Sequence, residues 1–335
     1  MPGGKTGGKS IVFKTILLSF IYVAPLVLMF FSFPVWIYFA FWITAGVGMA
    51  GIGMGVMHDA NHGSFSKNKK VNNFFGKSIV LLCGNKLNWT IQHNVLHHSF
   101  TNIVGKDEDL DAGGLIRLHP NQPQKKYHKY QYLYAPLLYA LLTLNWFLRK
   151  DFEQLKRYNE KGLLEEQGKV YNKEWLNLIF GKLLYASIFL IVPLIFHPYP
   201  WFFVILGFVA MHMVAGSLLS WIFQLAHVME PTVKFSESDN FSENEWAAHQ
   251  MLTTINFSTR SKFVTWYTGG LNHQVEHHLF PNISHVHYQR ISEIVKDTAK
   301  DFDLPYIALP SVSQAIWAHV KYLKQLGAEP QPVRA

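Results

Sequence analysis

The sequence predicts an all-α integral membrane protein: four transmembrane helices as two hairpins, an interfacial helix, and a cytoplasmic helical cap carrying a histidine-rich site. Three observations point there. Two pairs of long apolar runs each flank a short proline-bearing turn, Lys and Arg gather on one side of those runs, and only 16% of the 335 residues are charged, against about 25% in soluble domains. Mean hydropathy is only +0.08, so the chain is not buried wholly in lipid.

Residues 11–33 form an apolar run whose one charge is Lys14, and residues 34–57 form a second run with none. Each exceeds the roughly 20 residues that a helix needs to cross a bilayer. Only the Phe33-Pro34 turn separates them, so they read as a tight helical hairpin, of the wrong length for a cleaved signal peptide. Residues 176–196 and 201–226 make a second pair around His197, Pro198 and Pro200, with Lys182 the one full charge inside.

A shorter run, 132–148, holds Pro136 and Asn145. Arg117, Lys125, Lys126 and Lys129 precede it, and Arg149, Lys150, Lys156, Arg157, Lys161, Lys169 and Lys173 follow it. Lys and Arg accumulate on the cytoplasmic side of membranes, so both flanks are cytoplasmic and this segment is expected to lie in the interface without crossing. Four crossings then leave both termini inside. The expected division is a flexible basic tail over 1–10, a membrane domain over 11–290, and a C-terminal cytoplasmic helical segment and tail over 291–335. The formal charge of +8 reflects this bias. Its basic residues are not interleaved with aromatics on a soluble module, so no nucleic-acid partner is expected.

Seventeen histidines accompany a single cysteine, Cys83, which excludes a disulfide framework and any thiolate-based zinc or iron–sulfur site. The histidines cluster at His58-Asp59-Ala60-Asn61-His62, at His93-Asn94-Val95-Leu96-His97-His98 and at His273-Gln274-Val275-Glu276-His277-His278. Each cluster pairs imidazoles at i and i+4, on one helix face, and His227 ends the fourth apolar run. All fall on the cytoplasmic side of the topology, which was built without them. A lone imidazole is usually a hydrogen-bonded core or surface residue, but three clusters sharing spacing and side point to metal. Imidazole suits iron, zinc, copper and nickel, and about eight or nine candidates exceed the four ligands of a closed zinc site. Two metal ions in one site follow. Asp59, Asn61, Asn94 and Glu276 are candidates to orient the imidazoles by hydrogen bonding, with surface or capping roles as alternatives.

These clusters, with Thr101-Asn102 after the second and NHQVEHHLFP at 272–281, resemble the histidine boxes of the integral-membrane fatty acid desaturases. The resemblance runs from the first hairpin to about Tyr288, and the QVEHHLFP ending is similar to the front-end branch, in which glutamine replaces the first histidine of the third box. It implies two non-haem iron ions, with O2 as co-substrate, at the cytosolic ends of four membrane helices. His58, His62, His93, His97, His98, His277 and His278 match ligand positions, and His227 matches a further ligand after the fourth helix. Gln274 has the front-end spacing to His277 while His273 fits the longer spacing, so either completes the third box.

The implied reaction inserts a cis double bond into an acyl-CoA or acyl-lipid chain. A methylene has no acidic proton and no leaving group, so its hydrogens yield only to a strong oxidant, which iron with dioxygen supplies. A lipid or alkane hydroxylase shares that chemistry. A zinc-binding membrane transporter is the alternative from another class, and it would place ligands along a crossing path instead of on one face. Aromatics from Phe20 to Trp42 and from Trp201 to Phe208 are candidates to line an acyl path or to face lipid. Trp89, Trp246, His249 and Asn256 are candidates for the substrate pocket. His119, His128, His197, His212, His285, His287 and His319 are expected to be structural.

Each turnover needs two external electrons. Some front-end members carry a fused cytochrome b-type domain marked by an HPGG motif, but His119-Pro120 and His197-Pro198 do not continue with Gly-Gly, and about ten residues precede the first run. A separate donor is expected, ferredoxin or a free b-type cytochrome with its reductase, steered electrostatically to the basic face. Three other motifs are set aside. Gly3 to Ser10 fits the phosphate-loop pattern without the strand it requires. Asp107, Asp109 and Asp111 imitate a calcium loop, but Ala112 and Leu118 stand where glycine and glutamate are needed, so GKDEDLDAGG reads as an acidic loop, solvated or near substrate. Gly51 and Gly55 form a GxxxG expected to pack within the chain.

Overall fold

The computed structural model describes residues 4–230, 232–235 and 245–328, so residues 1–3 and 329–335 of the expected tails lie outside it. Among the described residues, four helices are long and apolar enough to cross a membrane: Gly8–Leu28, Val35–Asn61, Tyr171–Phe196 and Trp201–His227. They coincide with the four expected spans to within a few residues. The second span runs on through a π-helical turn, Gly53–Met57, into His58–Asn61, so the first histidine cluster begins inside the helix. Pro34 and Pro200 stand immediately before the second and fourth spans, where a missing N–H costs no helical bond.

The first two spans pack along the small residues of the second. A Cβ on Gly48 would stand 2.5 Å from the Tyr22 backbone nitrogen, and one on Gly55 would strike the Lys14 Nζ at the same distance. The GxxxG therefore seats a helix of the same chain. Lys14, buried in this seam, lies 3.0 Å from His285 Nε2, and His285 Nδ1 donates to Asp59 Oδ2 at 2.8 Å. Segment 5–7, part of the expected flexible tail, is held against the same region: Ser284 N donates to Lys5 O at 2.8 Å, and His287 Nε2 lies 3.2 Å from Thr6 O.

The run expected at the interface, 132–148, is broken into Gln131–Ala140, Leu142–Asn145 and a π-helical turn, Trp146–Lys150, and the helix Asp151–Glu160 follows it. The run lies along the fourth span, with Ser220 donating to Tyr139 O at 3.1 Å and Thr143 donating to His212 O at 3.0 Å. His212 is satisfied as a structural residue, with Tyr185 Oη and Thr143 Oγ1 each 2.9 Å away. Lys182 of the third span is buried and donates to Asp151 Oδ2 and Cys83 O, each at 2.5 Å, and to Trp146 O at 2.7 Å. Arg117, one of the basic residues flanking the 132–148 run, is buried and donates to Leu326 O at 2.6 Å and Gln122 O at 2.9 Å. It secures the C-terminal helix, Val312–Ala328. Among the described residues the strand content is one short parallel pairing, Asn256–Phe257 with Ala308–Leu309, and an isolated bridge between Ile103 and Phe235.

Candidate metal centre

The first cluster is delivered by the end of the second span, and His227 by the end of the fourth. The second box lies in a π-helix, Thr90–His97, that follows a short turn capped by the Asn85 side chain. The third box opens the helix Gln274–Leu279, reached through Gly269 and Gly270 at positive φ. At Gly269 the chain passes so close over the second span that a Cβ would stand 2.3 Å from Met54 O.

These elements form two all-histidine groups whose ligand atoms all lie within 4.8 Å of one another, His58, His62, His93 and His277 in one and His97, His227 and His278 in the other, and a third set, His93, His97 and Asp109, meets the same criterion between the two. Across them, Nε2 atoms face each other at 3.1 Å for His58 and His93, 3.1 Å for His98 and His277, and 3.3 Å for His97 and His278. His98 therefore joins the first group through His277. The Gln274 amide reaches His227 Nε2 at 3.0 Å, which places it beside the second. His273 makes no such approach: its ring nitrogens have no hydrogen-bond partner, and Glu276 Oε2 is 3.7 Å from its Nδ1.

The outward nitrogens show why the inward ones converge. His97 Nδ1 is 3.1 Å from both oxygens of Asp107, His278 Nδ1 donates to Gln250 Oε1 at 2.7 Å, and His277 Nδ1 lies 3.2 Å from the Tyr288 hydroxyl. An imidazole that donates from Nδ1 presents a lone pair at Nε2. Facing lone pairs at about 3 Å do not satisfy each other, and the buried His62 Nε2 has no hydrogen-bond partner. Cations fit this donor set. Burial, with repulsion from neighbouring imidazoles, holds His62, His98, His277 and His278 well below the ordinary histidine value. Burial also lowers His93, against the pull of Asp109. His97 is the exception, because Asp107 and Asp109 overcome its burial and hold it above that value.

The four residues expected to orient the imidazoles bond elsewhere. Asp59 holds Ser284 and His285, Glu276 accepts from Asn256 and Tyr306, Asn94 donates to Asn61 O, and Asn61 donates to Gly76 O. Sequence reasoning had taken neighbours in the chain as neighbours of the rings. The groups that do meet box imidazoles, Asp107, Gln250 and Tyr288, stand ten or more residues from the rings they serve. One signal was present: the acidic loop begins at Asp107, and that aspartate is buried, not solvated.

A cavity of about 580 Å³ opens beside the first group. His58, His93 and Trp89 form one part of its wall, Gly53, Met54, Leu82, Leu142 and Leu219 are among its apolar lining, and Glu108, Arg149, Lys150 and Arg157 give it a polar part. Trp89 stands in this wall with its ring 4.6 Å from that of His93. Trp246, His249 and Asn256 are absent from the described lining. They hydrogen-bond His98 O, Thr101 O and Glu276 instead. The aromatics of 20–42 and 201–208 are also absent from it, because they lie toward the far ends of the spans, where Trp36 and Trp201 are 73% and 68% exposed.

Known proteins bear directly on this geometry. The profile of the fatty acid desaturase family matches residues 13–310. An acyl-lipid (8-3)-desaturase of Physcomitrium patens is 36% identical, covering 91% of this chain and 64% of its own length. The sn-1 linoleoyl-lipid 6-desaturases of Synechocystis and Arthrospira platensis are 32% and 30% identical, covering 91% and 86% of this chain and 88% and 78% of their own lengths. The chain thus spans a little under two thirds of the moss enzyme and most of the two bacterial ones. With its four spans and buried histidine groups, the chain belongs to the fatty acid desaturase family.

Proposed function

We propose that this protein is a front-end acyl-lipid desaturase that inserts a cis double bond into an acyl chain, using O2 and two iron ions. One observation carries the reading: two convergent, buried histidine groups sit against an apolar cavity with a polar part. His58, His62, His93, His98 and His277 would hold one ion, and His97, His227 and His278 the other, with Gln274 rather than His273 completing the second. When bound, iron with dioxygen supplies the oxidant that an unactivated methylene requires.

The chain's own residues do the rest. Asp107 and Gln250 fix the tautomers of His97 and His278, so that their Nε2 lone pairs face inward. Gly53, Met54, Leu82, Leu142 and Leu219 enclose the acyl chain and exclude water. The polar part, with Arg149, Lys150 and Arg157, receives the head end. Positive charge around 149–173 supports a cytoplasmic site and termini, an interfacial placement of 132–148, and docking of an acidic ferredoxin or b-type cytochrome with its reductase. The membrane domain is taken as 11–290, with a cytoplasmic segment after it.

Iron analysis of the purified protein is expected to find about two ions per chain, lost together with activity in His97→Ala and His277→Ala. Expression in a host of simple lipid profile is expected to yield new cis-unsaturated fatty acids. Hydroxylated products would move the reading to the hydroxylase, and an unchanged profile with iron loaded and a working donor would sink it.

A further inference from the structure

Resting on that di-iron reading, we propose that Asp109 is a positioning residue shared by the two metal groups: one carboxylate serves one imidazole of each, His93 and His97. Asp109 Oδ2 lies 3.9 Å from His93 Nδ1 and 3.5 Å from His97 Nδ1. His93 belongs to the first group and His97 to the second, and their rings stack at 5.3 Å. That oxygen is buried and has no hydrogen-bond partner, although a buried carboxylate oxygen ordinarily finds one. It stands between two outward nitrogens: a small movement lets it accept from His93 Nδ1, while it acts through its charge on His97, whose Nδ1–H already meets Asp107.

Asp109 is held in this place from the other side. Its Oδ1 accepts from Gln92 Nε2, and Gln92 Oε1 accepts from Gln154 Nε2 at 2.6 Å, so the anchor extends to the helix Asp151–Glu160. Its backbone N–H donates to Asp107 Oδ1 at 3.0 Å. The two aspartates thereby differ in reach. Of the box imidazoles Asp107 contacts only His97, whereas Asp109 faces one imidazole from each group. Neutral imidazoles bring no charge to two cations. A carboxylate behind a ligand raises its basicity and fixes its tautomer, and in a dry interior its field acts over several ångströms. One acid behind both groups sets the ferric–ferrous balance of the two ions together.

The test uses the full-length, iron-loaded protein and its Asp109→Asn variant, which keeps shape and an acceptor but loses charge. Mössbauer spectroscopy is expected to show both iron signals altered, and both midpoint potentials are expected to rise. In Asp107→Asn, the larger change is expected at one ion only. Gln92→Met, which frees the carboxylate without removing its charge, is expected to give a smaller change at both ions, and it carries the test alone if Asp109→Asn does not fold. A change at one ion only, or at neither, in Asp109→Asn overturns the proposal. So does a third ion in the wild type, since His93, His97 and Asp109 would then be its ligands. Wild-type protein without two irons would instead refute the di-iron reading itself.

Discussion

Gly53→Leu tests whether the cavity is the acyl path. Gly53 precedes His58 by the one π-helical turn Gly53–Met57, which places it deeper along the span, and both line the same cavity. A Cβ there would stand 3.4 Å from Leu219 Cδ2 and 3.5 Å from Leu82 Cδ1. Those leucines line the cavity too, so the remaining three carbons of the new side chain extend into it. Gly53 opens the π-helical turn with right-handed helical dihedrals, φ −55°, which any L-residue adopts, so the exchange introduces no backbone strain. What it displaces is substrate. Each methylene denied burial forfeits about 0.8 kcal/mol, and three carbons displaced forfeit roughly 2.4 kcal/mol, a fall of about 60-fold in kcat/KM. The assay offers the holoenzyme competing acyl chains of graded length and resolves the products by gas chromatography and mass spectrometry. Chains ending short of Gly53 are expected to react as before, with a sharp fall beyond that length. An equal decline at every length, with iron content intact, would refute the assignment of the cavity.

Three further outcomes follow from the contacts. Lys182→Met strands Asp151 in a buried site, where removing one partner costs about 3–5 kcal/mol; Tm in detergent is expected to drop by several degrees and to recover in part in Lys182→Met/Asp151→Leu, and no recovery would deny the pair its role. Gln274→Ala is expected to reduce iron at one of the two sites while His273→Ala retains both ions, and the reverse pattern would give the position to His273. In metal-stripped protein, His62, His93, His98, His277 and His278 titrate below their unfolded value of about 6.5, so the unfolded chain binds more protons as pH falls. Stability is then full above that pH and declines below it by up to about 1.4 kcal/mol per unit per residue, with His97, shifted the other way, opposing. Thermal unfolding between pH 7.5 and 5 measures this, and a flat profile would contradict the neutral, converging imidazoles.

Much of the architecture was readable in one dimension because a bilayer imposes one-dimensional rules. Span length follows from hydrocarbon thickness, so four runs were found to within a few residues, and Gly51 and Gly55 seat an adjacent helix as small residues do. Charge was less reliable where a long side chain folds inward. Arg117 looked like part of a cytoplasmic patch, yet backbone carbonyls of its own loop and of the C-terminal helix surround it. The partners of the imidazoles were missed for a related reason. Gln250 meets His278 and Tyr288 meets His277 only after the chain has returned from a loop, and no local spacing encodes that return.

The second box shows where periodicity itself was the wrong instrument. An α-helix turns about 100° per residue, so His93 and His97 would share a face while His98, five residues on, would point roughly 140° away. Yet His97 Nε2 faces His278 at 3.3 Å and His98 Nε2 faces His277 at 3.1 Å, and both rings lie beside that of His93. The π-helix over Thr90–His97 resolves the conflict. Its i→i+5 bonding widens the turn until residues i+4 and i+5 flank residue i on one side. In this box the doublet of histidines after the i+4 pair is accommodated by a π-turn, whereas the third box, with the same spacing, lies on an α-helix that starts after His273. The π-turn is what lets the short helix of the second box supply both metal groups.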